Sequence, residues 1–286
     1  MPEGATVMTA LRYEMKKASK AAKFAVAHIR SRPCVLVYQM GKVGSRTITE
    51  TLRAAAPDLL IYHVHVLTEE GLQKAEARYR RAYPWNRRVA QHFIEGRYLQ
   101  RRLENPTNWP WRVITLVRDP VALNISAFFQ TLRYHPDLAL REWSPEYQEA
   151  LQERFLRAHP HREPLEWLDR ELNQALGVDV YSRRFPHERG YDVYSSDRAS
   201  ALVIRLEDLS SCGPAALSSF LGIEPIELTS SNVAAAKRYA DVYATFIKEL
   251  KLPPDYVESM YDSKFARHFY TESELAGFRR KWSKAG

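Results

Sequence analysis

Val35-Leu-Val-Tyr-Gln-Met-Gly-Lys-Val-Gly-Ser-Arg-Thr-Ile48 decides the fold class: an apolar run breaks at a Gly-Lys-x-Gly-Ser-x-Thr turn and resumes with helical spacing. Cys34 to Tyr38 has the length and β-branched, aromatic content of a buried strand. Ile48, Leu52 and Ala55 recur at intervals that give the following helix one apolar stripe. Between them, Gly41 and Gly44 permit backbone conformations that side chains forbid and let an anion approach the main chain. The amides of Gly44 to Thr47 then open the helix, where unpaired N–H groups and the macrodipole favour negative charge. Lys42, Ser45, Arg46 and Thr47 add cation and hydroxyl donors around Val43. The pattern predicts an anion pocket on a strand–loop–helix unit. It is not a Walker A loop, whose lysine directly follows the second glycine; here Lys42 precedes Gly44 by two. The plainer reading of a Gly-Lys pair is a strand-to-helix turn with a surface lysine.

A second segment repeats the architecture. In Trp111-Arg-Val-Ile-Thr-Leu-Val-Arg-Asp-Pro-Val-Ala-Leu-Asn-Ile-Ser-Ala-Phe-Phe129, the strand Val113 to Val117 meets a polar break at Arg118-Asp119-Pro120 and then a helix. Pro120 suits a first helical turn and Asp119 suits its cap. Arg118 at the strand end and Ser126 about two turns into the helix can converge on one phosphate, a forked cation with a hydroxyl.

Gln39-Met-Gly-Lys-Val-Gly-Ser45 followed by Leu116-Val-Arg-Asp-Pro120 with Ser126 resembles the paired signature of sulfotransferases that use 3′-phosphoadenosine 5′-phosphosulfate (PAPS). The resemblance is closest to bacterial capsular polysaccharide synthesis proteins and more distant to carbohydrate sulfotransferases. It implies that Gly41, Lys42, Val43, Gly44, Ser45, Arg46 and Thr47 hold the 5′-phosphosulfate, while Arg118 and Ser126 hold the 3′-phosphate. Val203-Ile-Arg-Leu-Glu-Asp-Leu209 resembles a strand and turn that recur late in that fold, and Tyr261 to Tyr270 resembles the closing segment of the capsular-type group. Tyr134 to Ser195 matches nothing.

The implied reaction is sulfuryl transfer from PAPS to a hydroxyl, with 3′,5′-adenosine bisphosphate (PAP) as product and no metal required. Negative charge develops on the sulfonate and the departing phosphate, where a preorganised lysine acts most strongly in the transition state. Lys42 is assigned that role. The segment Leu59 to Leu67 reads as the second strand, with His63 and His65 two apart on one face. Heparan sulfate 2-O-sulfotransferases carry a similar His-x-His, and by that resemblance His65 is the base, with His63 orienting it or touching the acceptor. The plain alternative is a pair of hydrogen-bonded strand histidines; Glu50 and Glu69 stand as alternative bases. Asn232, Lys237, Tyr239, Arg267 and His268 are late polar candidates, and Glu207 and Asp208 are expected to brace the site from behind.

With 286 residues and no Gly/Ser- or Pro-rich linker, the chain reads as one α/β domain over residues 33–286, preceded by a basic helix over 1–32. The expected fold is a three-layer α/β sandwich: a central parallel sheet (strands near Val35–Tyr38, Leu60–Val66, Val113–Val117 and Leu202–Arg205), a P-loop-like phosphosulfate loop and a helical insertion before the fourth strand. In that insertion Trp143, Tyr147, Phe155 and Trp167 read as core. Cys34 and Cys212 make neither a disulfide framework nor metal-ligand spacing. Without a signal-peptide core or a membrane-length apolar run, the expected location is cytoplasmic. The basic pattern from Leu11 to Arg32 can either lie on an anionic membrane surface or pack as a solvated helix.

A net charge of +8 suits a multiply anionic donor. Much of it falls in the run from Arg78 to Arg102, interleaved with Tyr79, Tyr83, Trp85 and Tyr98, which fits either an anionic glycan acceptor or a charged outer helix face. No familiar nucleic-acid-binding motif accompanies it, which argues against a polynucleotide partner. Two other classes stand beside the enzyme: a noncatalytic glycan- or membrane-associated scaffold, and an ATP-dependent kinase, against which the order Gly-Lys-x-Gly speaks.

Overall fold

The computed structural model describes residues 34–82, 91–104, 111–132, 143–229 and 240–283, with Met15 and Ser19. Apart from those two, the basic N-terminal segment lies outside the described residues, as do Tyr83, Trp85, Arg87, Arg88, Asn232, Lys237 and Tyr239.

Five strands form one sheet in the order β2-β1-β3-β5-β4: β1 (Cys34–Tyr38), β2 (Leu60–Val64), β3 (Trp111–Val117), β4 (Tyr191–Ser195) and β5 (Ala199–Arg205). β1 pairs in parallel with β2 (Val37 opposite His63) and with β3 (Val37 opposite Ile114), and β3 pairs in parallel with β5. β4 runs antiparallel to β5, with Tyr191 opposite Ile204. The parallel sheet expected from sequence therefore carries an antiparallel edge. β2 also ends at Val64, two residues short of its expected end.

The continuous apolar runs of β1 and β3 follow from burial on both faces, as parallel strands require. Val35, Leu36, Val37 and Tyr38 are fully buried, and so are Val113 and Ile114. On one face, Val35, Val37, Ile114, Leu202 and Ile204 pack against α1 (Ser45–Ala55) through Ile48 and Leu52, and against α7 (Leu209–Leu221) through Leu217. On the other, α2 (Glu69–Ala82) packs on α3 (Gln91–Glu104), which with α4 (Pro120–Thr131) shares a core with Leu36, Tyr38, Tyr62 and Val113. At about 1.5–3 kcal/mol for each fully buried aliphatic side chain, either face outweighs any single polar contact in holding the layers together.

The stretch that sequence could not place enters this second layer. α5 (Pro145–Ala158) starts at Ser144, whose hydroxyl accepts from the Tyr147 amide. α6 (Glu163–Trp167) continues as a π-helical turn over Leu168–Asn173 and a last α turn ending at Gly177, where φ is 72°. Tyr147 and Phe155 are fully buried, as expected of core positions. The C-terminal helices α8 (Ala240–Glu249), α9 (Pro254–Tyr261), α10 (Lys264–Phe269) and α11 (Glu272–Trp282) complete the layer, with Phe246, Tyr261 and Phe269 in the same core. Among the described residues, no helix is long and apolar enough to cross a membrane.

From β1 the chain steps to β2 on one side and later to β3 on the other. The crevice beyond the carboxyl ends of β1 and β3 is thus a topological switch point, the place where open α/β sheets take ligands.

Candidate functional site

The β1–α1 loop lies at that switch point. Lys42 is the one described non-glycine residue with positive φ, 71°. Gly44 follows at φ 87°, where a Cβ would stand 2.8 Å from the Leu206 side chain. Two left-handed residues so close together turn the chain sharply from strand to helix, and only glycine fits the second. α1 then begins at Gly44 with no side-chain cap and no acidic residue in its first turn. Its N-terminal amides present a partial positive charge without a resident carboxylate. Val43 is buried and anchors the loop in the core, while Gly41, Lys42, Ser45 and Thr47 are partly exposed. Arg46 is exposed and pairs with Glu50 at 3.1 Å, one turn along the outer face of α1.

Arg118 is brought to the same loop. Its Nη1 donates to the Lys42 carbonyl at 3.0 Å, tying the end of β3 to the β1 loop. Ser126 sits half-buried on α4. The Arg-Asp-Pro turn is locked from behind. The Asp119 carboxylate, buried, caps α4 by accepting from the Val121 amide and also takes the Tyr261 hydroxyl at 2.8 Å and the Trp282 indole at 3.0 Å. The Asp119 amide donates to Glu207 at 2.8 Å, and the Tyr270 hydroxyl reaches the other Glu207 oxygen at 3.1 Å. Burial pushes the Glu207 carboxyl up, opposed by the hydrogen bond from the Asp119 amide. Glu207 thus braces the Arg118 turn. Asp208 instead pairs with the buried Arg205.

His63 lies in β2 and His65 just beyond it, ring centroids 4.8 Å apart and nearly perpendicular. His65 Nδ1 lies 2.7 Å from the carbonyl oxygen of Gln39, the residue that leads into the β1–α1 loop. A carbonyl only accepts, so Nδ1 carries the proton and Nε2 holds the lone pair. Burial lowers the His65 pKa from the ordinary histidine value and so favours the neutral ring, partly offset by that hydrogen bond. The ring is thereby latched to the segment that enters the β1–α1 loop. Glu69 instead heads α2 and accepts from Gln73 and Gln100.

Gln39 joins the candidate site, and the sequence reading assigned it no role. Fully buried, it accepts the Leu116 amide at 2.9 Å through its side-chain oxygen, bridging β1 and β3 where they part, and holds His65 through its backbone. Its signal was available: a polar side chain directly after a buried strand at a predicted switch point.

The cleft between the loop and the inserted helix is walled by Met40, Val43, Arg118, Pro164, Trp167 and Phe265, among others. It is mostly apolar with one fixed cation. Of the basic run, Arg78 pairs with Glu163, and Arg97 with Glu76 and Glu69. These pairs account for part of the run as a charged helix surface. Arg267 pairs with Asp262, and burial lowers the His268 pKa. Among the described residues, no cluster of three or more His, Cys, Asp or Glu side chains could hold a metal.

Residues 150–271 match the model of a protein family described as "Putative capsular polysaccharide synthesis protein". The match runs from within α5 to just past α10; the β1–α1 loop and the Arg118 turn both lie outside it. One solved structure, a sulfotransferase from Alicyclobacillus acidocaldarius, aligns with 14% sequence identity and a TM-score of 0.36, covering 89% of this chain and 97% of that one. A likeness of that size transfers no activity. No curated protein matches the chain at a significant level.

Proposed function

We propose that this protein is a sulfotransferase that moves a sulfuryl group from PAPS to a hydroxyl of a carbohydrate acceptor. The observation that carries the reading is the bond from Arg118 to the Lys42 carbonyl, because it unites two anion-binding elements at one switch point. A donor with a 5′-phosphosulfate and a 3′-phosphate needs two such elements. A singly phosphorylated nucleotide needs one. The uncapped α1 N-terminus, without an acidic residue in its first turn, suits the phosphosulfate. The family match over residues 150–271 supports a glycan acceptor.

The acceptor oxygen attacks sulfur in line as the bond from sulfur to the 5′-phosphate oxygen breaks, and PAP departs with that electron pair. The hydroxyl proton passes to Nε2 of His65, whose other nitrogen is already engaged by Gln39. Lys42 and the first amides of α1 oppose the charge that grows on the sulfonate and leaving phosphate. The Arg118 guanidinium holds the 3′-phosphate with the Ser126 hydroxyl.

Calorimetric titration with PAP, 5′-AMP and ATP with magnesium tests the reading directly. Selective binding of PAP is expected. Preference for ATP would move the protein to a kinase, and binding of none would leave a noncatalytic scaffold.

A further inference from the structure

The turn that follows His65 is held by residues from the family-matched insertion rather than by its own strand. Trp167 Nε1 donates to the His65 carbonyl at 3.0 Å. Four residues later, Glu171 accepts from the Leu67 amide at 2.8 Å, the Thr68 amide at 3.1 Å and the Thr68 hydroxyl at 2.6 Å. The Tyr38 hydroxyl, at the end of β1, is a fourth donor at 2.5 Å. The Glu171 carboxylate is buried, and it sits at the amino end of α2, where the helix dipole favours an anion. Gly71 leaves room for it: a Cβ there would stand 1.9 Å from Glu171 Oε1.

This arrangement constrains a catalytic group. His65 is gripped at its ring by Gln39 and at its carbonyl by Trp167, while Glu171 fixes the amides two and three residues on. Trp167 immediately precedes, and Glu171 lies within, the π-helical turn Leu168–Asn173. Such turns recur at functional sites. A buried carboxylate taking four donors is costly to assemble, and replacing it leaves those donors competing for other partners. The β2–α2 turn would then sample other conformations, and the Nδ1 contact to Gln39 would no longer be held in register.

We propose that Trp167 and Glu171 are positioning residues for His65, fixing its tautomer and the aim of Nε2 from across the sheet edge. The inference rests on the sulfuryl-transfer reading for the role of His65 as base; the geometry of the grip does not. Trp167→Phe keeps an aromatic side chain and removes the N–H donor, and Glu171→Gln keeps the shape and removes the charge. In the full chain, the imidazole nitrogen resonances of His65, assigned by their loss in His65→Gln, are followed through a pH titration for wild type and both variants. PAP affinity and turnover are measured in parallel. A single Nδ1–H tautomer is expected in wild type and a tautomer mixture in both variants. Turnover should fall about tenfold or more in both variants, as a small misplacement of a base does, while in Glu171→Gln PAP affinity stays within about twofold, because Glu171 lies outside the cleft wall that Trp167 shares with Arg118. An unchanged tautomer and titration in both variants, with only a lowered melting temperature, would overturn the proposal and leave the two residues structural. If Glu171→Gln does not fold, Trp167→Phe decides alone. A wild type that binds no PAP, with a tautomer that still shifts in the variants, sinks the donor reading and supports the positioning. PAP binding with an immobile tautomer does the reverse.

Discussion

Replacing Lys42 by glycine should leave a more stable protein than replacing it by alanine, and both variants should be inactive. Lys42 stands at φ 71°, a conformation that costs an L-residue roughly 1–2 kcal/mol. Alanine keeps that strain and deletes the amine with every contact it makes. Glycine deletes the same amine and removes the strain, against a loss of about 0.5–1 kcal/mol from the greater freedom of its unfolded chain. The difference between the variants therefore isolates the backbone. Lys42→Gly should exceed Lys42→Ala by about 0.5–1 kcal/mol, which in a chain of this size raises the melting temperature by about 1–4 °C. Urea unfolding with a common slope gives the same quantity as a midpoint shift. Both variants should lose turnover by about 100-fold or more, the usual effect of removing one preorganised group that meets developing charge. Equal stability of the two would refute the argument that Lys42 is held under strain. Full turnover in Lys42→Ala would remove it from the chemistry.

Arg118→Ala removes both the fork and its bond to the Lys42 carbonyl; at about 1.5–3 kcal/mol for a charge-assisted contact, PAP should bind about tenfold or more weakly while 5′-AMP changes less, and equal losses measured by calorimetry would contradict the 3′-phosphate assignment. Burial lowers the His65 pKa, so the base is neutral at and above the ordinary histidine value of 6.5; activity should fall on the acid side through a group titrating below that value, and in His65→Gln that limb should vanish from the pH–rate profile. His159 is pushed down to about 3 by burial, with the His161 and Arg78 charges adding to it. Below about pH 6.5 the unfolded chain takes a proton that the folded ring refuses, so stability falls with pH, by about 2 kcal/mol at about pH 5. The wild type should therefore lose about 4 °C or more of melting temperature on going from neutrality to that pH, and a curve just as steep in His159→Gln would place the acid sensitivity elsewhere.

Local patterns carried what the sequence could say. The continuous apolar runs at Val35–Tyr38 and Val113–Val117 announce strands buried on both faces, and the structure makes them adjacent at the centre of the sheet. Asp119 and Pro120 announce a helix start, and Asp119 does accept the Val121 amide. β4 escaped notice because Tyr-Asp-Val-Tyr-Ser is a short edge segment whose pairing depends on β5, and nothing within five residues encodes a partner. Tyr147 and Phe155 were legible as core from their side chains alone, but the Glu171 network was not. A glutamate in a Glu-Leu-Asn context reads as a surface residue. Its burial is set by donors 103 to 133 positions away.

The sequence by itself determined the two strand–turn–helix units, the need for glycine at Gly44 in the first turn though not at Gly41, and the charge and hydroxyl types gathered at their ends. Those features rest on backbone sterics and on neighbours within one or two helical turns, which a linear string records. Tertiary structure decided the rest: that β1 and β3 lie side by side so that Arg118 meets the Lys42 carbonyl, that Gln39 fixes the proton of His65, and that Asp119 and Glu171 are buried among donors from distant segments. Each of these is a long-range hydrogen bond whose worth depends on exclusion of water, and water is excluded only when the layers have closed.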